Sequence, residues 1–210
     1  MHALWSLRLG AIAIFAAQLS PSFGELPPYP ELRPDLERYQ DARRCGQKNE
    51  DYYLVYRNYP YDSNYGGTSR CVKFHAIEVF GDAHTSAKYS WSAPGFGRQY
   101  LHGWQHLAST PGYSIRNLHT ITSHHVPGVW RHHTIYKNCY SCYIARHHYA
   151  RGGYGCSLWR PASVISQNRI DYCDFIFDAL CGSSPKYYIY DPACERTPNT
   201  FVTNTAPWDE

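Results

Sequence analysis

The placing of cysteine constrains this chain more than any other feature. All eight cysteines, Cys45, Cys71, Cys139, Cys142, Cys156, Cys173, Cys181 and Cys194, lie beyond the first 44 residues. What comes before them reads as a leader. Arg8 is the only Lys or Arg in the first 24 residues, an apolar run follows from Leu9 to Ala17, and Ser22-Phe23-Gly24 makes a small-residue exit. These are the parts of a signal peptide over residues 1–24. The apolar run is shorter than the roughly 20 residues that span a bilayer. The expected mature chain starts near Glu25, is secreted and soluble, and enters an oxidising compartment. There an even cysteine count implies a disulfide framework. Zinc is the competing reading, but only Cys139 and Cys142 have CxxC spacing and no second such pair follows. Neither a metal nor a cofactor is expected.

Charge excludes one class of partner. The 20 basic and 17 acidic residues leave a net charge of +3, with no concentrated basic stripe, so nucleic-acid binding is not expected. The expected partner is a small molecule, with no membrane and no second copy of the chain. The aromatic content is what stands out: 20 Tyr, 6 Trp and 8 Phe beside one Met. Tyr and Trp suit strands, and they line pockets whose apolar wall needs a polar tip.

Residues 25–50 are Pro-rich and then charged, with a short helix expected from Asp35 to Arg44. From Asp51 the pattern becomes a run of strands: Asp51–Tyr59, Thr68–Phe80, Ser86–Ser92, Gln99–Leu107, Tyr113–Thr122, Val129–Lys137, Cys139–His147 and Tyr154–Arg160. Turn signals separate most of them, among them Tyr61 to Gly67, Pro94-Gly95, Pro111-Gly112, Pro127-Gly128 and Arg151-Gly152-Gly153. Short strands at near-regular spacing argue for an antiparallel sandwich or barrel. One helix follows. Asn168 is its expected N-cap with Asp171 in support, Cys173, Ile176, Phe177 and Leu180 form one apolar stripe, and Gly182 stops it. Lys186–Asp191 is a last short strand, and residues 195–210 form a loose polar tail. Strands, then one outer helix, then a strand is the order of a lipocalin-type barrel. The expected fold is therefore all-β: an eight-stranded antiparallel barrel over residues 51–194, with a short N-terminal helix and one C-terminal helix outside. Such a barrel encloses room for one small ligand.

Several segments resemble the salivary lipocalins of ticks, the group that includes histamine-binding proteins. They are Asp51-Tyr52-Tyr53-Leu54-Val55-Tyr56-Arg57-Asn58-Tyr59, Gly66-Gly67-Thr68-Ser69-Arg70-Cys71-Val72, Lys137-Asn138-Cys139, Gly155-Cys156-Ser157-Leu158-Trp159 and Tyr190-Asp191-Pro192-Ala193-Cys194. The resemblance implies three disulfides, Cys71–Cys194, Cys139–Cys173 and Cys156–Cys181, and leaves Cys45 and Cys142 to each other. It also implies a carrier that sequesters a small host mediator at a feeding site, with a biogenic amine such as histamine or serotonin first in line.

An amine is a cation at neutral pH, and burying it calls for a carboxylate and aromatic faces. The resemblance maps the family's ligand positions onto Tyr59, Asp62, Tyr65 and Trp159. Tyr140 and Ser157 stand where the family carries Asp and Glu, so half of the amine site is missing. Asp62 also reads as an ordinary turn residue, and the aromatics as barrel core. Arg57 points to a different ligand. If Tyr53, Val55 and Tyr59 face inward, so does Arg57, and a buried guanidinium needs an anion. That anion is either an internal carboxylate or the head of a lipid mediator, leukotriene or fatty acid; a single bulge would turn Arg57 outward.

Among 12 histidines, the adjacent pairs His124-His125, His132-His133 and His147-His148 point to opposite faces of a strand, so no pair chelates one ion from one side. His102, Trp104 and His106 share a face, either pocket wall or solvent. No nucleophile elbow, zinc-protease, P-loop or dinucleotide motif appears, and no catalysis is expected. A protein-interaction module acting on host haemostasis or complement, through the loop Trp91 to Gly97 or the tail at Trp208, is the remaining alternative.

Overall fold

A computed structural model describes residues 29–44, 50–81, 83–93, 97–123, 127–166, 172–183 and 185–196. The strands are β1 (Asp51–Arg57), β2 (Arg70–Phe80), β3 (His84–Ala93), β4 (Gly97–Ala108), β5 (Leu118–Ser123), β6 (Val129–Lys137), β7 (Tyr143–His147), β8 (Gly155–Pro161) and β9 (Tyr187–Tyr188). Neighbours in the sheet follow chain order from β2 to β8, β8 then pairs with β1, and β1 pairs with both β2 and β9. The β1–β2 pairing closes eight antiparallel strands into a barrel, and β9 is an added edge on β1. Closure leaves no free edge among the eight. No helix among the described residues is long and apolar enough to cross a membrane.

Strand alternation sorts the core into an inside and an outside. Leu54, Val72, Ala87, Tyr89, Leu101, Ile121, Trp130 and Trp159 pack together within the barrel, joined by Tyr65 from the loop after β1. On the outer wall, Tyr56, Ile135, Cys142, Ile144, Cys156 and Leu158 meet the helix α2 (Cys173–Cys181) through Cys173, Phe177 and Cys181. The expected stripe on this helix is the face that packs, and Gly182, at φ +80°, ends it with its N–H on the Asp178 carbonyl. Its expected caps Asn168 and Asp171 lie outside the described residues.

Several boundaries differ from the sequence reading, the last strand shrinking from Lys186–Asp191 to Tyr187–Tyr188, and three of them differ for evident local reasons. The N-terminal helix is a pair of 3-10 turns, Pro30–Leu32 and Pro34–Tyr39, each opened by proline. β5 starts at Leu118 rather than Tyr113, because Asn117 folds back to accept from the Thr110 N–H and hydroxyl. β7 starts at Tyr143 rather than Cys139, because Asn138 caps a turn by accepting from the Tyr140 N–H at 2.9 Å. Two short helices went unforeseen, α1 (Ala162–Ile165) before α2 and α3 (Ala193–Arg196) at the start of the expected tail.

The disulfides follow the outer face. Cys71–Cys194 ties β2 to α3 and Cys156–Cys181 ties β8 to α2, both as the resemblance implied. The third bridge is Cys142–Cys173, not Cys139–Cys173. Cys142 enters β7 on the same outer face as Ile144 and is fully buried beneath α2, whereas Cys139 rides on the turn before it. That bridge also rules out Cys45–Cys142. Cys139 is itself disulfide-bonded, and Cys45 lies outside the described residues.

Candidate functional site

The barrel encloses a cavity of about 70 Å³, where one water needs roughly 10–15 Å³. Its wall is mostly aromatic: Tyr52 from β1, Phe74 from β2, Tyr89 from β3, Tyr143 from β7 and Trp159 from β8, with Tyr65 from the β1–β2 loop. Three imidazoles join them, His119 from β5, His132 from β6 and His147 from β7, together with Gln105 and Lys137. No Asp or Glu is among the described residues that line it.

The polar groups on this wall are tied into two chains. One begins at Trp159, whose indole N–H donates to Ser157 Oγ at 2.7 Å, and Ser157 lies 2.7 Å from His147 Nε2. On the far side of that ring, His147 Nδ1 is 3.1 Å from the Tyr149 hydroxyl, which in turn donates to Asp62. Reading donors toward the carboxylate puts the His147 proton on Nδ1. Asp62 is then full. It accepts from Tyr59 at 2.6 Å, from Tyr149, and from the backbone N–H groups of Asn64 and Tyr65. The second chain runs from the Tyr89 hydroxyl to Gln105, from Gln105 Nε2 to His119 Nδ1, and from His119 Nε2 to Thr134 at 2.8 Å. His119 and His132 stack at 4.4 Å. Burial keeps all three imidazoles neutral: His119 and His132 are held well below the usual range, and His147 is pushed down to about 3. The buried Tyr143 hydroxyl lies near Thr134 but makes no hydrogen bond with a described residue. Lys137 donates to the Ala42 carbonyl at 2.6 Å and is depressed to about 8 by desolvation.

The expected site residues divide. Tyr65 and Trp159 line the cavity, their rings edge to face at 6.1 Å. Ser157 lies just behind Trp159. Tyr59 instead faces an outer groove with Tyr61, Tyr149 and Tyr187. Arg57 and Asp62 are both buried and lie 3.8 Å apart. Nη2 of Arg57 also donates to the carbonyls of Pro60 and Gly67, while its Nε and Nη1 make no hydrogen bond with a described residue. The anion facing Arg57 is therefore an internal carboxylate. The route inward is the reverse of the one expected. Tyr53 packs outside on Cys71 and Cys194, and Leu54 points in. An irregularity between Leu54 and Tyr56 then restores Arg57 to the inner face beside Ser157. The bulge that would have expelled Arg57 is what admits it.

The histidine pairs behave as alternation requires. His132 and His147 enter the cavity, and His133 and His148 face out. His124 and His125 lie outside the described residues. His102, Trp104 and His106 take the solvent face. What sequence reasoning missed are the inward His119, His132 and His147 with Gln105; the signal lay in alternation within β4–β7, which places Gln105, His119, His132 and His147 on one side.

A family model described as tick histamine binding protein matches residues 30–196. Among solved structures, the serotonin complex of AM182 superposes with a TM-score of 0.56 at 19% identity, covering 73% of this chain and 90% of that one. Japanin from Rhipicephalus appendiculatus bound to cholesterol gives a TM-score of 0.47 at 11% identity, covering 70% and 97%. No curated protein matches. With one family model running from the N-terminal 3-10 turns through the barrel to α3, this chain belongs to the tick histamine binding protein family.

Proposed function

We propose that this protein is a secreted carrier that sequesters one small, ring-bearing ligand inside its barrel, with a biogenic amine, histamine or serotonin, as the first candidate. The observation that carries this is the cavity itself: a small space walled by six aromatic rings and three uncharged imidazoles. Its volume suits a ring and a short arm rather than a sterol. Aromatic faces attract a cation, and with the ring nitrogens of His119 and His147 engaged, His132 is the imidazole with a nitrogen left to meet a polar group of the ligand. Family membership and the serotonin-bound AM182 barrel support the same class. The action is stoichiometric, lowering free mediator without a chemical step.

The site differs from an acidic amine pocket in one respect. Asp62 is fully engaged behind Tyr149 and Tyr59, so no carboxylate of a described residue reaches the ligand. Affinity should therefore fall short of a carboxylate-paired site by a few kcal/mol. One observation favours an anionic mediator as the second reading: Lys137 lines the cavity, and no described acidic residue does. Calorimetric titration of the oxidised mature chain with histamine, serotonin and leukotriene B4 separates the two. Amine binding weakened by Trp159→Ala and strengthened by Lys137→Met supports the first. Leukotriene binding that is lost in Lys137→Met replaces it with the second.

A further inference from the structure

Outside the barrel, three side chains from three separate segments meet. His133 projects outward from β6, His148 follows directly on β7, and Glu31 comes from the first N-terminal 3-10 turn. One ligating atom of each lies within 4.8 Å of the other two. His133 Nδ1 and His148 Nε2 are 3.1 Å apart, and His148 Nε2 and the Glu31 carboxylate are 3.3 Å apart. Donors about 2.0–2.1 Å from a tetrahedral ion are separated by roughly 3.3 Å, so both contacts already have the length of a tetrahedral edge. We propose that Glu31, His133 and His148 form a binding site for one divalent transition-metal ion of the zinc class.

Three features support the site. Glu31 is fully buried, and while its Oε1 faces His148, its Oε2 has no hydrogen-bond partner among the described residues. That is an unpaid acceptor of the kind a cation satisfies. His148 is about one-third exposed, which provides an entry path and leaves the fourth position to water. Two imidazoles and one carboxylate are ligands that suit zinc, copper or nickel rather than calcium or magnesium. Arg146 Nε lies 3.1 Å from Oε1, the same oxygen that faces His148, which weakens that oxygen as a donor and leaves Oε2 free to turn to the ion. An ion here would clip the N-terminal segment to the wall at β6 and β7, on the opposite face of those strands from His132 and His147. A site for metal is thus independent of the ligand cavity.

The test is titration of the metal-stripped mature protein with zinc chloride in a non-coordinating buffer, read by calorimetry and by thermal unfolding. The expected result is one equivalent bound and a raised Tm, with affinity reduced at least about tenfold in His148→Ala and in His133→Gln. The variant His106→Ala is the control. It breaks the exposed His84–His106 contact of 2.9 Å elsewhere on the barrel and should leave the binding unchanged. His148→Ala alters a partly exposed side chain, so it tests the site even where His133→Gln disturbs folding. Binding that survives His148→Ala, that is lost in His106→Ala, or that never reaches a one-to-one plateau overturns the proposal.

Discussion

Asp62 shows how a residue of the right type in the right loop can serve structure instead of ligand. Its two oxygens take hydrogen bonds from Tyr59, Tyr149 and two backbone N–H groups, and they neutralise Arg57. The turn it closes also needs glycine: Gly66 has φ +79°, and a Cβ there would lie 2.6 Å from the Trp91 ring. Removing one charge of a buried pair costs about 3–5 kcal/mol because its partner is left uncompensated. Asp62→Asn should therefore lower unfolding free energy by about that much in urea denaturation, and the folded fraction should bind ligand as before. His119 supports a second prediction. It is neutral, buried between Gln105, Thr134 and the His132 ring, with Lys137 the nearest cation on that wall, and its pKa is held well below 6.5. The unfolded chain takes up its proton near pH 6.5 and the folded chain does not. Its stability contribution is thus complete above pH 6.5 and is lost as pH falls from there toward the folded pKa. His119→Gln should flatten the stability–pH profile below 6.5 by up to about 1.4 kcal/mol per unit, as read from denaturation midpoints between pH 4 and 7.

At the scale of elements, α2 depends on the bridge that the resemblance assigned to the wrong cysteine. Cys142–Cys173 closes a separation of 31 residues, and chain entropy gives such a link about 3–4 kcal/mol. The double variant Cys142→Ser/Cys173→Ser should lose about that much in guanidinium denaturation, with amide exchange across residues 173–181 accelerated. Cys139→Ser should leave exchange in that helix unchanged. The miss has a physical origin. Cys139 and Cys142 differ by three residues at the end of a strand, and only the Asn138 turn decides which of them reaches the outer wall. The strands, their order and the apolar face of α2 were legible because alternation and the 3.6-residue stripe are properties of sequence alone. Arg57 was expected inward and is buried, but its route was not legible, because one irregularity at Val55 exchanged the faces of β1. The two inward aromatics Tyr65 and Trp159 were found by resemblance. The imidazoles were overlooked because adjacent histidines were weighed as pairs within a strand, whereas the barrel groups them across strands.

The whole molecule is a closed wall with two chemistries on its two faces. Inward lie aromatic rings and neutral imidazoles around one cavity; outward lie the helix, the disulfides and the Glu31 cluster. The central claim is that the ligand sits inside. Ala76 of β2 is a small side chain on the cavity wall, so Ala76→Phe fills the space, at about 1–3 kcal/mol of overpacking. Calorimetric titration of wild type and Ala76→Phe with histamine and serotonin, on protein whose melting curve confirms folding, tests this most directly. The expected result is saturable one-to-one binding by wild type and its loss in Ala76→Phe. Equal binding by both proteins would place the ligand outside the barrel, at the groove around Tyr59 and Tyr61, and would contradict it.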